Sequence, residues 1–240
     1  MEEIRIVEYD HSLAEKIADM WGKSADGWNG MNMVKTTDAI IREHNNSFHL
    51  NVYLALNSCD EVVGYCSLDR YTRDENALYI NLLNVRPDYH GRKVGKMLVL
   101  ECVRRTVDLG WPRVDLNTWP GNTKAVPLYK KCGFFWEKRD DTTHLMNYIP
   151  TVLKTEALND FFKDAHWYED SQRIIEVKPD GRNENGFDYF EYSWEHSGKR
   201  LRVEFERTGR GIRLIETDDY LISAEVEQHE LVFGMDYAVT

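Results

Sequence analysis

The densest chemical signal in the sequence is the run Leu82-Leu83-Asn84-Val85-Arg86-Pro87-Asp88-Tyr89-His90-Gly91-Arg92-Lys93-Val94-Gly95-Lys96. A strand pattern ends before Pro87, a glycine-containing turn follows, and helical spacing starts at Lys93. A helix that starts there presents unsatisfied backbone N–H groups and the positive end of its dipole, and Arg92, Lys93 and Lys96 add side-chain charge. That combination suits a pyrophosphate. The same residues also fit an ordinary strand-to-helix corner with solvated basic side chains, because short glycine motifs match often.

The elements that must hold this corner are readable on both sides of it. Ile4, Ile6 and the alternation through Tyr9 predict a strand, and Ser12 is placed to cap a helix carrying Leu13, Ile17, Met20 and Trp21. The Gly/Asn-rich stretch Gly27 to Asn32 reads as a loop, followed by a helix from Thr37. Strands are predicted over Asn51–Leu56, Glu61–Tyr71 and Ala77–Val85, with turns at 57–60 and 73–76. A helix over Lys93–Leu109 stops at Gly110, and strand Arg113–Thr118, helix Thr123–Lys131 and strand Phe134–Arg139 complete an α/β pattern.

Beyond Pro150 the pattern changes. A linker helix within residues 151–168 leads to short strands near Arg173–Val177, Tyr189–Trp194, Leu201–Arg207, Ile212–Glu216, Leu221–Val226 and Leu231 onward. Turn signals at Asp180-Gly181, Ser197-Gly198 and 209–211 separate them, which predicts a small antiparallel β domain over 169–240, a sandwich or a barrel, with an immunoglobulin-like sandwich preferred. The last ten residues stay apolar to Thr240, whereas free ends are usually polar, so the natural chain is expected to continue.

A second run, Asn117-Thr118-Trp119-Pro120-Gly121-Asn122-Thr123-Lys124-Ala125-Val126-Pro127-Leu128-Tyr129-Lys130-Lys131-Cys132-Gly133-Phe134, follows the first by about thirty residues. It resembles the Asn-x-x-Ala-x-x-Leu-Tyr-x-x-x-Gly-Phe signature of the GNAT superfamily of N-acetyltransferases, and the two runs stand in that superfamily's order. The resemblance covers about residues 3–150 and not the tail. It implies a mixed sheet flanked by helices and splayed between its fourth and fifth strands, with acetyl-CoA as co-substrate in the gap. Leu83, Asn84 and Val85 then match the strand that pairs with pantetheine. His90, Gly91, Arg92, Lys93, Val94, Gly95 and Lys96 match the pyrophosphate loop, Asn122 opens the second signature, and Tyr129 matches the tyrosine beside the cofactor sulfur. Such a phenol assists departure of a CoA thiolate, while strand N–H groups stabilise the oxyanion formed when an amine attacks the thioester. Aromatic packing beside Phe134 is the structural alternative for Tyr129.

The sequence departs from the pattern in places. His90 stands for the usual Gln or Arg, and Lys93 for the first glycine, where a side chain either crowds the phosphates or adds an ionic contact. Many relatives carry a glutamate base on the fourth strand, but here that stretch offers Tyr79 and Asn81. Water held by Asn81 or Asn117, or a carboxylate such as Asp69 or Asp115, remains open as the proton route, although a strand-end role is the simpler reading of both carboxylates. Trp21, Trp28, Trp119 and Trp136 are candidates to line an acceptor pocket, with core packing expected for all but Trp28. The implied acceptor is a small-molecule amine, with an amino sugar preferred. A non-catalytic CoA-binding protein and an adaptor acting through the β domain are the alternatives.

Composition sets the limits. Residues 151–240 hold 11 Lys+Arg against 20 Asp+Glu, so −9 of the net −11 lies in the tail, which disfavours nucleic acid. No apolar run approaches the ~20 residues of a membrane span, and the acidic start does not resemble a secretory signal, so a cytoplasmic protein without membrane contact is expected. Cys59, Cys66, Cys102 and Cys132 are spaced as buried thiols, the histidines lack ligand spacing, and no metal is implied. A homodimer is left open.

Overall fold

The computed structural model describes residues 2–24, 34–137, 143–167, 171–177, 189–206, 212–217, 220–227 and 230–238. The chain opens with β1 (Arg5–Glu8) and α1 (Ala14–Lys23), which is preceded by a single 3-10 turn. The cap there is Asp10 rather than the expected Ser12. Its carboxylate accepts the Ser12 N–H at 2.9 Å, and a carboxylate at the positive end of a helical turn is also favoured electrostatically. Thr36 caps α2 (Thr37–Asn45), and β2 (His49–Leu56), β3 (Val62–Arg70) and β4 (Ala77–Val85) form the expected meander. The predicted loop over 27–32 lies outside the described residues.

After the corner come α3 (Val94–Asp108), β5 (Arg113–Asn117), α4 (Val126–Lys131), β6 (Phe135–Trp136) and β7 (His144–Asn147). Helix α4 starts three residues later than predicted because Asn122 Oδ1 accepts the Ala125 N–H and holds 122–125 as a turn. Strand β7 was not predicted, and β6 is shorter than expected. The seven strands run in the order β1-β2-β3-β4-β5-β7-β6, antiparallel except for β4 beside β5. One face packs through Cys66, Leu68, Leu98 and Val99 with α3, and the other packs Val52, Leu54, Tyr65 and Leu82 under α1 and α2.

The predicted linker helix is three pieces: α5 (Ile149–Lys154), a 3-10 turn over Glu156–Leu158 and α6 (Asn159–Phe162). Thr155 adopts an extended backbone, φ −71° and ψ 114°, which breaks the helical path. Strands β8 (Ser171–Val177), β9 (Tyr189–His196), β10 (Lys199–Glu206), β11 (Ile212–Thr217), β12 (Tyr220–Glu227) and β13 (Glu230–Ala238) then form one antiparallel sheet in sequence order. This corrects the immunoglobulin-like sandwich. Ser197 and Gly198, both at positive φ, join the paired His196 and Lys199 of β9 and β10, and each strand pairs antiparallel with the next.

The second sheet packs on the β5-β7-β6 end of the first. Tyr192 lies fully buried and donates its hydroxyl to the Gly133 carbonyl at 2.5 Å, and it accepts the Tyr148 N–H at 3.1 Å. Its ring meets Phe135 at 5.1 Å and Phe205 at 5.7 Å. One apolar cluster therefore runs from Leu98 through Phe134 and Tyr148 to Val203 and Ile215.

Candidate active site

Strands β4 and β5 pair only over Ala77–Ile80 and Arg113–Leu116. Beyond that point the β4 half from Asn81 to Val85 has no β5 partner, so the sheet splays as the resemblance implies. At the vertex the β3–β4 register skips Asn81, which leaves Leu68 opposite Ile80 and Ser67 opposite Leu82. This bulge turns Ile80 toward α3 and Leu82 toward α1 and α2. Asn81 and Asn117 are exposed on the two sides of the opening. Leu83 and Val85 are half-buried, and Asn84 is buried with its Oδ1 lacking a hydrogen-bond partner among the described residues.

The corner after β4 is built from local contacts. His90 bonds the Val85 carbonyl through Nε2 at 2.9 Å, which pins the loop to the strand end. Lys93 caps α3 with φ 66° and ψ 5°, so this position does require the left-handed conformation that glycine takes most easily. Lysine holds it there with its side chain exposed. Val94, Gly95 and Lys96 form the first turn, whose N–H groups precede any intrahelical acceptor. Gly95 lets α3 approach α4, since a Cβ would lie 3.1 Å from Leu128 Cδ1. Arg92 is drawn toward the N-terminus, bonding Glu2 at 3.0 Å with its guanidinium over the Tyr89 ring. Lys93 and Lys96 are thus the cations at this corner without an ion pair among the described residues.

Tyr129 projects from α4, only 8% exposed, with its ring 6.1 Å from Phe134. Its hydroxyl has no hydrogen-bond partner among the described residues. Burial pushes the phenol pKa well above its usual value, and neighbouring Cys66, Cys132 and Tyr79 act in the same direction. The group therefore stays protonated across the neutral range and remains a donor. Asn122 is committed locally: it donates to Thr118 Oγ1 at 2.8 Å and accepts from Ala125, bracing the link between β5 and α4.

On the α1/α2 face, Tyr79 stacks on Tyr71 at 4.8 Å, and Tyr71 lies 5.7 Å from His144. His144 is held at both nitrogens, by Asp115 at 3.0 Å and Glu137 at 2.7 Å. Asp115 is fully buried and also bonds Arg113 at 2.7 Å, whose guanidinium reaches Asp74 as well. Burial disfavours the His144 imidazolium, but the two carboxylate hydrogen bonds outweigh it and raise the pKa. Its contribution to stability is therefore complete below the unfolded imidazole pKa of ~6.5 and is lost as pH rises through the higher folded value. Urea midpoints measured from pH 6 upward should fall over that window, and His144→Gln should flatten the fall. An unchanged slope in the variant would refute the assignment.

Toward the β2 edge, His49 Nδ1 bonds Asp69 Oδ1 at 2.5 Å beside a cavity of about 240 Å³ lined by Glu8, Tyr9, His11, His44 and Asn45. Asp69 and Asp115 are thus both bonded to partners rather than solvent-facing. Trp119 is 61% exposed, contrary to the expected core packing, while Trp21 is buried and Trp136 half-buried. Trp28 lies outside the described residues. Cys66, Cys102 and Cys132 are buried, but Cys59 is exposed in the turn before β3. No helix among the described residues is long and apolar enough to cross a membrane. His49, Tyr71 and His144 carry no ligand spacing in the sequence; a register shift between His49 and Asn51 sets His49 opposite Asp69, a pairing that no periodicity within β2 displays.

The acetyltransferase (GNAT) family model matches residues 15–134. Among solved structures, an acetyltransferase of the GNAT family from Staphylococcus aureus is 23% identical, covering 60% of this chain and 98% of its own, with a TM-score of 0.49. PaiA N-acetyltransferase from Thermoplasma acidophilum, solved with coenzyme A, is 18% identical over 61% of this chain and 99% of its own, at 0.47. A GNAT-family acetyltransferase from Streptococcus pneumoniae is 16% identical over 61% of this chain and all of its own, at 0.50. At 16% identity the last of these speaks for the fold alone, and the family model carries the assignment. No protein of curated function matches the sequence. The family match spans half of the 240 residues and includes the splayed strands, the basic corner and the phenol-bearing helix, and the chain belongs to the GNAT family of acetyltransferases.

Proposed function

We propose that this protein transfers the acetyl group of acetyl-CoA to a primary amine of a small molecule, with an amino sugar as the preferred class, in the cytoplasm. The reading rests on one combination: β4 loses its β5 partner after Ile80, the corner at its end opens α3 with Lys93 and Lys96, and α4, packed on α3 at Gly95, carries a buried, protonated Tyr129. The residues fit the co-substrate. Val94, Gly95 and Lys96 offer N–H groups to a pyrophosphate and Lys93 and Lys96 offer charge, while Leu83, Asn84 and Val85 offer an unpaired strand edge to pantetheine amides. N–H groups near the bulge stabilise the oxyanion of the tetrahedral intermediate, and Tyr129 hydrogen-bonds the departing sulfur. Asn81, Asn117 and the Tyr71–Tyr79 pair give the acceptor side a polar and aromatic surface, which suits a sugar.

A ligand bound only by the folded state raises stability by about 2.7 kcal/mol at a hundredfold excess over its Kd, or roughly 5–10 °C in Tm for a chain this long. Acetyl-CoA should produce such a shift in thermal denaturation. Lys96→Ala should weaken it, while Arg104→Ala, whose side chain pairs with Glu101 and Asp108 farther along α3, should not. No shift at millimolar acetyl-CoA would overturn the reading. A shift without acetyl transfer to any amine would favour a CoA-binding protein instead.

A further inference from the structure

An alkylamine is almost wholly protonated at neutral pH, so acetyl transfer to it requires a proton acceptor, and neither Tyr79 nor Asn81 on β4 is an ordinary base. Two histidines stand on the α1/α2 face of the sheet. His144 is closed, since carboxylates occupy both of its ring nitrogens. His49 is bonded only at Nδ1, to Asp69, and its Nε2 has no partner among the described residues.

We propose that the His49–Asp69 dyad accepts the proton that the amine loses, a proposal that rests on the acetyltransferase reading above. Registers place His49, Asp69 and Tyr79 in one row across β2, β3 and β4. Paired residues share a face, so both members of the dyad lie on the side that Leu82 and Tyr65 take beneath α1 and α2. Two strand spacings, about 10 Å, separate His49 from β4, a span that an acceptor and one or two waters bridge. The Asp69 carboxylate can only accept, so it fixes the proton on Nδ1 and leaves the Nε2 lone pair free. His49, its side chain 17% exposed, lines the adjoining cavity, and Asp69 stands behind it at 16%.

The neighbouring groups do not compete for the role. His44, 6.0 Å from His49, donates from Nδ1 to the Ile40 carbonyl and accepts the Tyr65 hydroxyl at Nε2, and burial lowers its pKa. The Glu8 carboxylate accepts from Asn51, and Tyr9 stacks on His44 with its hydroxyl toward His11. In the reaction the ammonium passes one proton through water to His49 Nε2, and Asp69 offsets the imidazolium charge. The freed nitrogen pair forms the C–N bond. As the C–S bond breaks, the Tyr129 hydroxyl hydrogen-bonds the departing thiolate, which takes up the proton that the acylated nitrogen loses. His49 releases its proton to the cavity water, so each turnover yields one amide, one CoA thiol and one proton.

His49→Gln and Asp69→Asn should lower kcat/KM about 10²-fold with benzylamine, within the usual range for general base catalysis, and leave aniline, already neutral at pH 7, turned over at the wild-type rate. Equal losses with both amines would assign the pair to binding and overturn the proposal, as would wild-type rates with benzylamine. Nitrogen-15 NMR of the wild-type imidazole gives an arm independent of turnover: neutral His49 should carry its proton on Nδ1, and Asp69→Asn should lose that preference. The opposite tautomer in the wild type overturns the dyad even if neither amine is acetylated. Acetyl-CoA binding and transfer by the wild type report separately on the underlying reading.

Discussion

Tyr129→Phe should lower kcat by roughly 10²- to 10⁴-fold while acetyl-CoA affinity and Tm stay nearly constant. The ring and its packing on Phe134 survive the change, and because the hydroxyl bonds no protein group among the described residues, its removal orphans no partner. What disappears is a donor aimed at charge developing on sulfur. Burial keeps that donor protonated, and a thiol pKa of ~8.5 lies below that of even an ordinary phenol, so hydrogen bonding rather than complete proton transfer is the main contribution. The comparison needs an amine for which chemistry limits the rate. Wild-type kcat under that condition would return Tyr129 to a packing role.

Asp115→Ala should destabilise the fold by about 3–5 kcal/mol, the usual cost of breaking a buried ion pair and leaving its partner behind. Asp115 is fully buried, Arg113 is 4% exposed, and His144 loses its Nε2 partner in the same substitution. Asp74 still contacts Arg113 but compensates for only part of the guanidinium. For a chain of this length the loss corresponds to a Tm lower by on the order of 10 °C. Denaturant unfolding checks the magnitude, with Arg104→Ala as the exposed comparison, expected to cost less than about 1 kcal/mol. A small loss at Asp115 would mean that water or a relaxed Arg113 replaces the carboxylate.

The sequence carried the central strands and α3 clearly, because Ala77–Val85 has unbroken strand character and Val94–Asp108 is closed by a glycine at positive φ. The corner and Tyr129 were readable because their function depends on local residue types in fixed order. Strand β7 was not, since four residues are too few to show a period, and it gains its place only from pairing with β5 and β6. His144 went with it. The dyad was hidden for a related reason: His49 and Asp69 lie twenty residues apart and meet only through the β2–β3 register. The sandwich expectation failed because strand count and turn spacing do not distinguish one meandering sheet from two packed sheets.

The Tyr192 hydroxyl grips the carbonyl of Gly133, and the next residue, Phe134, donates its N–H to the Tyr129 carbonyl at 3.1 Å. The C-terminal sheet therefore clamps the short helix bearing the phenol from outside, through a single hydrogen-bonded step. Cutting the chain after residue 150 would strip Tyr192, Phe205 and Val203 from Phe135 and Tyr148 and bare an aromatic face. Heat should accordingly melt both sheets in one cooperative transition, so that the phenol loses its position when the distant sheet loses its structure.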